Sequence, residues 1–206
     1  MKSKFLATEK IFDAVSQFYD HPLAQQLYYG RIHNILITEI EHLEPSTVLD
    51  VGCGTGELLT KFSELWPETK LIGLDLSEKM IEVAQAKDYA DCESEFIEGS
   101  VYDIPLESES VDLITSSISS HFYTDIEQAL SEFYRVLKPG GTLAMANLTN
   151  GILGNLPGPF RKKFPFPNQV YRSIDNWIEN YTQAGFEIIR VEKLPYPAQL
   201  FICLKF

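Results

Sequence analysis

The stretch "VLDVGCGTGELL", residues 48–59, constrains the fold more than any other part of the chain. An apolar run of strand length ends in one acid, Asp50, breaks into three glycines and passes at once into an amphipathic helical pattern. A buried strand that turns directly into a helix needs backbone without side chains at the turn. The same change of period then repeats. Strand patterns "STVLDV", "KLIGLDL", "SEFIEG", "VDLITSS" and "TLAMANL" are interleaved with helical patterns "GELLTKFSELW", "SEKMIEVAQAK" (opened by a serine N-cap) and "DIEQALSEFYRVL", and "KPGG" reads as the turn before the fifth strand. Such alternation predicts an α/β, doubly wound, mostly parallel sheet with helices on both faces. Residues 5–43 carry helical spacing broken at "YDHP", and a final helix near 173–184 leads into strands "FEIIRVE" and "AQLFICLKF".

At 206 residues with 45% hydrophobic side chains, the chain suits one domain with its own core. The expected divisions are a helical N-terminal cap over 1–45, a ligand-binding core over 46–148, a lid or acceptor loop over 149–172 and a closing helix with strands over 173–206. The formal net charge of −12 repels nucleic acid and anionic membrane surfaces, so neither is expected as a partner. Cys53, Cys92 and Cys203 are scattered and form no zinc-type spacing, and no histidine stands at ligand spacing from another. No metal site is expected, and a reduced, cytoplasmic compartment fits best. The N-terminal stretch mixes charges into its apolar residues and lacks a signal-peptide or membrane-span pattern.

In an open parallel sheet the ligand crevice lies beyond the carboxyl ends of the strands, where Gly52, Gly54 and Gly56 fall. The helix from Glu57 points its positive N-terminal end at the same place, which favours a ligand carboxylate or phosphate. The glycines are one residue too tight for a G-x-G-x-x-G dinucleotide turn, and the lysine of a phosphate loop is missing. Asp50 beside them disfavours a pyrophosphate and suits a ligand with positive charge next to its own carboxylate, such as an amino acid bearing a sulfonium.

"VLDVGCGTG", "LIGLDLSEKMIEVA" and "VDLITSSISSHFYTDIEQALSEFYRVLKPGGTLAMANL" together resemble the class I S-adenosylmethionine-dependent methyltransferases. The match is nearest the small-molecule branch (methyltransferase type 11) that includes the quinone-biosynthesis C-methyltransferases, strongly over residues 46–148 and loosely on the flanks. The resemblance implies a Rossmann-like, seven-stranded, mostly parallel sheet with the last strand antiparallel, and S-adenosylmethionine as cofactor with S-adenosylhomocysteine as product. It also implies that Asp50, Gly52, Cys53, Gly54, Thr55 and Gly56 hold the methionine end, mostly through backbone groups. Asp75 matches the acid that accepts both ribose hydroxyls, which suits a carboxylate with two acceptor oxygens. Leu76 and Met80 would line the adenine and ribose face. Ser100, with Val101 and Tyr102, departs from the family pattern, because an acid commonly stands where Ser100 is. A neutral hydroxyl makes a weaker bond than a carboxylate, and Asp103 compensates only if the loop bends back.

The segment "SSISSHFY", which includes Ser116, occupies the position that faces the transferred methyl in the family. His121 matches the first histidine of the family's L-H-H run and reads either as a general base, with an ordinary pKa near 6.5, or as a local structural bond. Tyr19 resembles a family element that folds the N-terminal helix over the cofactor, and ordinary core packing is the other reading. Tyr28 and Arg31 on the cap, with Phe160, Phe164 and Tyr171 after the fifth strand, are candidate substrate contacts. The basic run Arg161, Lys162 and Lys163 either steers an anionic, partly apolar acceptor or forms a solvated turn. The expected function is methyl transfer to a small-molecule acceptor, on oxygen or carbon, by a monomer or homodimer. A cofactor-binding protein that acts through a partner, and a relative that modifies the sulfonium methyl itself, are the competing readings.

Overall fold

In the computed structural model, residues 28–149 and 170–206 are described. Seven strands form one sheet: β1 (Thr47–Val51), β2 (Lys70–Asp75), β3 (Ser94–Glu98), β4 (Val111–Ser117), β5 (Leu137–Leu148), β6 (Phe186–Lys193) and β7 (Ala198–Lys205). Their spatial order is β3-β2-β1-β4-β5-β7-β6. All neighbours pair in parallel except β7, which runs antiparallel to both β5 and β6. The expected sheet, antiparallel last strand included, is therefore present. The helices are α1 (Gly30–Ile40), α2 (Glu57–Leu65), α3 (Glu78–Gln85), α4 (Ile126–Val136) and α5 (Ile174–Gln183), with a short 3₁₀ turn at Ser120–Phe122. None of them is long and apolar enough to cross a membrane.

Three of the five described helices begin where the sequence supplies a side-chain cap. Ser77 accepts from the Met80 amide, Asp125 from Gln128 and Ser173 from Asn176, and each such cap stabilises its helix by about 1 kcal/mol. In α4 the residues at helical spacing, Ile126, Ala129, Leu130, Phe133 and Val136, are all buried. They form one core layer with α5 residues Trp177 and Tyr181 on one face of the sheet. The other face is covered by Ile32, Leu36 and Ile40 of α1 and by Leu58, Leu59 and Phe62 of α2. Because both faces are covered, β1 is buried from Val48 to Val51 and β5 from Gly141 to Asn147.

One boundary differs from expectation. "KPGG" lies inside β5, not before it: Val111 pairs with Leu137 while Leu113 pairs with Thr142, so the extra residues bulge out of the ladder. Gly140, at φ +78°, allows that bulge.

Candidate functional site

The strand order reverses between β1 and β4, so a crevice opens at their carboxyl ends. The glycine turn is tied to the end of β2: the Gly52 and Cys53 amides both donate to the Leu74 carbonyl, at 2.7 and 3.1 Å. Gly52, Gly54 and Gly56 all have left-handed backbones, with φ of +72°, +54° and +79°. Their surroundings separate their roles. A Cβ on Gly52 would lie 2.5 Å from Ser119 Cβ, and one on Gly56 would strike the Tyr89 hydroxyl. At Gly54 nothing lies within 4 Å. Two glycines thus serve close packing, and the third presents bare backbone to open space at the N-terminus of α2, where a ligand carboxylate is favoured.

Asp75 organises this opening. One carboxylate oxygen accepts from the Gly54 amide at 2.9 Å and the other from the Ser77 amide at 3.0 Å. Asp75 thereby ties the glycine turn to the start of α3. Asp50 is nearly sealed, at 2% exposure, and its Oδ1 accepts from Thr115 Oγ1 at 2.7 Å across the β1–β4 pair. Burial pushes its carboxyl up to about 7, against the opposing effect of the Thr115 bond, and the nearby Asp75 charge adds to the rise. Thr55 is buried. Cys53 is buried too, its thiol pushed well up chiefly by burial, so it packs and does not react.

On the β2–β3 side, Leu76 is half-buried and Met80 almost fully buried at the start of α3. Ser100 Oγ accepts from the Tyr102 amide at 3.2 Å, and the Asp103 amide donates to the Ser100 carbonyl, so this loop closes on itself. Asp103 is exposed. The guanidinium of Arg135 in α4 is pushed up chiefly by its bond to Glu132, and Asp103 contributes to that rise, so its charge is felt on the α4 side. Val101 and Tyr102 pack half-buried against the α4 core layer, and the Tyr102 hydroxyl accepts from the Asp125 amide at 3.2 Å.

Beyond β4 the chain turns through Ile118, whose φ of +54° is rare for a β-branched residue. That turn aims Ser119 at the glycine turn. Ser119 Oγ lies 2.7 Å from Ser116 Oγ, 2.8 Å from the Tyr123 hydroxyl and 3.2 Å from the Val51 carbonyl, which accepts from it. Ser116 was expected here; Ser119 and Tyr123 were not singled out, since four serines in one loop give no signal of which faces inward. His121 is 5% exposed, with Nδ1 buried and unpartnered. Burial pushes its imidazole down to about 3, so the expected titration near 6.5 is not found. Its ring stacks on Tyr171, with centroids 6.1 Å apart and planes at 9°.

Tyr28 joins this group: burial, then Tyr29 and Tyr171, push its phenol up to about 12. The structure therefore gathers Tyr28, His121 and Tyr171, whereas Arg31 is exposed on α1. Tyr19, Phe160, Phe164 and the run Arg161, Lys162 and Lys163 lie outside the described residues. Among the described residues no group of three or more His, Cys, Asp or Glu side chains is placed to hold a metal.

The family model described as "Methyltransferase domain" matches residues 49–145, which contain the glycine turn, Asp75 and the β4 loop. A malonyl-[acyl-carrier protein] O-methyltransferase of Yersinia pestis is 39% identical over 53% of this chain and 39% of its own length. A demethylmenaquinone methyltransferase of Lactococcus lactis is 31% identical over 79% of this chain and 68% of its own length. This chain thus spans about two fifths of the first relative and about two thirds of the second. A solved S-adenosylmethionine-dependent methyltransferase from Aquifex aeolicus superposes with a TM-score of 0.75 at 24% identity, covering 94% of this chain and 98% of that one. The family's cofactor is S-adenosylmethionine, and the open backbone at Gly54 beside the Asp75 carboxylate fits it. With the motifs, the sheet and the relatives in agreement, the chain belongs to the class I S-adenosylmethionine-dependent methyltransferases.

Proposed function

We propose that the protein transfers the methyl group of S-adenosylmethionine to a small organic acceptor, at oxygen or carbon. The observation that carries this reading is the pairing of Asp75 with Gly54: the acid that fits the ribose also holds the amide of the one turn glycine that faces open space. The relatives named as methyltransferases of demethylmenaquinone and of malonyl-[acyl-carrier protein] support an organic acceptor over a nucleic acid. Relatives of that kind do not favour the binding-protein alternative.

The cofactor, when bound, supplies a methyl carbon already activated by a sulfonium, so the chain's task is to bind, orient and exclude water. We assign the methionine end to the backbone of residues 52–56 with Thr55 and Cys53 packed beneath it. The ribose falls to Asp75, and the adenine to Leu76, Met80, Ser100, Val101 and Tyr102. Ser100 already accepts one bond from its own loop, which leaves its hydroxyl proton to give. Asp50 acts at one remove, as a buried acid close to the cationic end of the cofactor. Ser116, Ser119 and Tyr123 form the floor next to the turn. The acceptor is placed against Tyr28, His121 and Tyr171, with Tyr19, Arg31, Phe160 and Phe164 further candidates. His121, held neutral, accepts a hydrogen bond without carrying charge through the reaction, and it is too weakly basic to drive deprotonation at neutral pH.

The test is calorimetric titration with S-adenosylhomocysteine, then transfer of isotopically labelled methyl to a panel of phenols, quinols and carboxylic acids. Binding, and label in at least one acceptor, are expected. An intact protein that does not bind the ligand at millimolar concentration refutes the reading.

A further inference from the structure

Residues 170–172 run across the carboxyl ends of β4 and β5. The Val170 amide donates to the His121 carbonyl at 2.7 Å, Tyr171 stacks on His121, and Arg172 bridges to Thr149 just past β5. The Arg172 side chain is buried, at 7% exposure. One guanidinium nitrogen, Nη2, donates to the Tyr123 carbonyl at 3.0 Å. The other, Nη1, is buried and has no hydrogen-bond acceptor among the described residues. The guanidinium carbon stands 5.2 Å from the ring centroid of Trp177, and the Nε1 of that fully buried indole also lacks an acceptor among the described residues.

Two adjacent buried donors without acceptors are rare in a folded protein, and here one of them carries a full charge. Contact with the indole face compensates the charge only in part, because a buried guanidinium is stable when a carboxylate accepts from it. Among the described residues no carboxylate pairs with Arg172; Asp125 acts on it only through space, and burial pushes the guanidinium down. The neighbouring polar groups are already engaged: Ser120 Oγ donates to Asn147 Oδ1, and Asn147 Nδ2 donates to the Tyr181 hydroxyl, both at 2.6 Å. The chain just before this point carries Arg161, Lys162 and Lys163 and, over residues 150–169, no acid at all. An oxyanion with two acceptor oxygens complements a guanidinium nitrogen and an indole N–H on two side chains in contact.

We propose that Arg172 and Trp177 Nε1 form a carboxylate-binding subsite, so that the methyl acceptor is an organic acid anchored here while its reacting atom faces the cofactor. This rests on the methyltransferase reading. Anchoring a remote, non-reacting group orients the nucleophile for in-line attack. The aromatic surroundings of Tyr28, His121 and Tyr171 suit an acid with an apolar body, and benzoate is the probe.

Benzoate is titrated into the full chain by calorimetry, with and without saturating S-adenosylhomocysteine, while the Trp177 indole N–H is followed by NMR, with Trp66→Phe for assignment. Saturable binding with a shift of the Trp177 signal is expected. Arg172→Gln should weaken it at least tenfold, Arg172→Lys less. Trp177→Phe keeps an aromatic ring without the donor, should also weaken benzoate, and serves if Arg172→Gln does not fold. Absence of saturable benzoate binding at millimolar concentration, or equal affinity in Arg172→Gln, overturns the subsite. Each variant is also titrated with S-adenosylhomocysteine alone. Failure of the intact protein in that titration counts against the methyltransferase reading, and failure with benzoate alone counts only against the subsite.

Discussion

Replacing the turn glycines one at a time by alanine should separate folding from ligand binding. Each has a left-handed backbone, so any Cβ costs about 1–2 kcal/mol of stability. At Gly52 the new methyl would lie 2.5 Å from Ser119 Cβ, a separation that neither backbone can relieve cheaply. Overpacking of that kind adds about 1–3 kcal/mol, for a total of about 2–5 kcal/mol. At Gly54 the methyl meets nothing within 4 Å, so the loss of stability should stay near about 1–2 kcal/mol. Binding should show the opposite order. If the ligand rests on the Gly54 backbone, a methyl in that space forfeits a charge-assisted hydrogen bond, about 1.5–3 kcal/mol, or roughly ten- to hundredfold in affinity. Urea unfolding gives the first quantity and calorimetry with S-adenosylhomocysteine the second. A Gly54→Ala protein that binds as tightly as the parent would refute the placement of the ligand on this turn. One destabilised more than Gly52→Ala would refute the packing argument.

Four further outcomes follow from the buried ionisable groups and the hydrogen bonds around them. Asp50 has its carboxyl raised from about 4 to about 7 by burial, so its stabilising contribution is complete below the unfolded value and is lost as pH rises through about 7. Asp50→Asn should therefore gain stability relative to the parent as pH rises from 4 to 8, by a few kcal/mol; parallel melting curves that keep a constant gap would sink this. A cationic ligand should drive Asp50 to ionise, so binding near pH 7 should release protons, read from calorimetry in buffers of different ionisation enthalpy. His121 has the reverse sign: its imidazole is depressed from 6.5 to about 3, so its contribution is complete above pH 6.5 and is lost as pH falls below it. His121→Phe should be less acid-sensitive, although His33, depressed to about 4 chiefly by burial and also by Lys61, retains part of the effect. Asp75→Asn presents an amide N–H₂ to one of two amide donors, those of Gly54 and Ser77. It should lose about 1.5–3 kcal/mol of stability as well as ligand affinity, and an unchanged melting midpoint would show that the acid does not hold the turn.

Much of the site could be read in advance because it is made of local pattern. An apolar strand must end somewhere, and "DVGCGTG" marks the place with residues that only a tight, uncovered turn requires. Ser77, Asp125 and Ser173 announce helix starts by the same local logic, since a cap bonds an amide three residues away. "KPGG" misled because the turn residues were legible, whereas the partner strand that absorbs them as a bulge was not. For His121 the sequence left a general base and a structural residue both open, because a residue type carries an ordinary pKa while the burial that overrides it comes from segments far away in the chain.

By itself, the order of hydrophobic periods and glycines determined a doubly wound parallel sheet and the glycine turn after its first strand, because these depend on contacts within a few residues, whereas Asp75 was singled out by the family resemblance. Tertiary structure alone decided which glycine faces open space, and that Ser119 and Tyr123 close the floor beneath the turn. It also decided that Asp50 and His121 are buried far enough to change how readily they ionise, and that Arg172 meets Trp177 with a donor to spare. Those properties depend on desolvation and on side chains brought together from separate strands and helices, and only the folded sheet sets which of them meet.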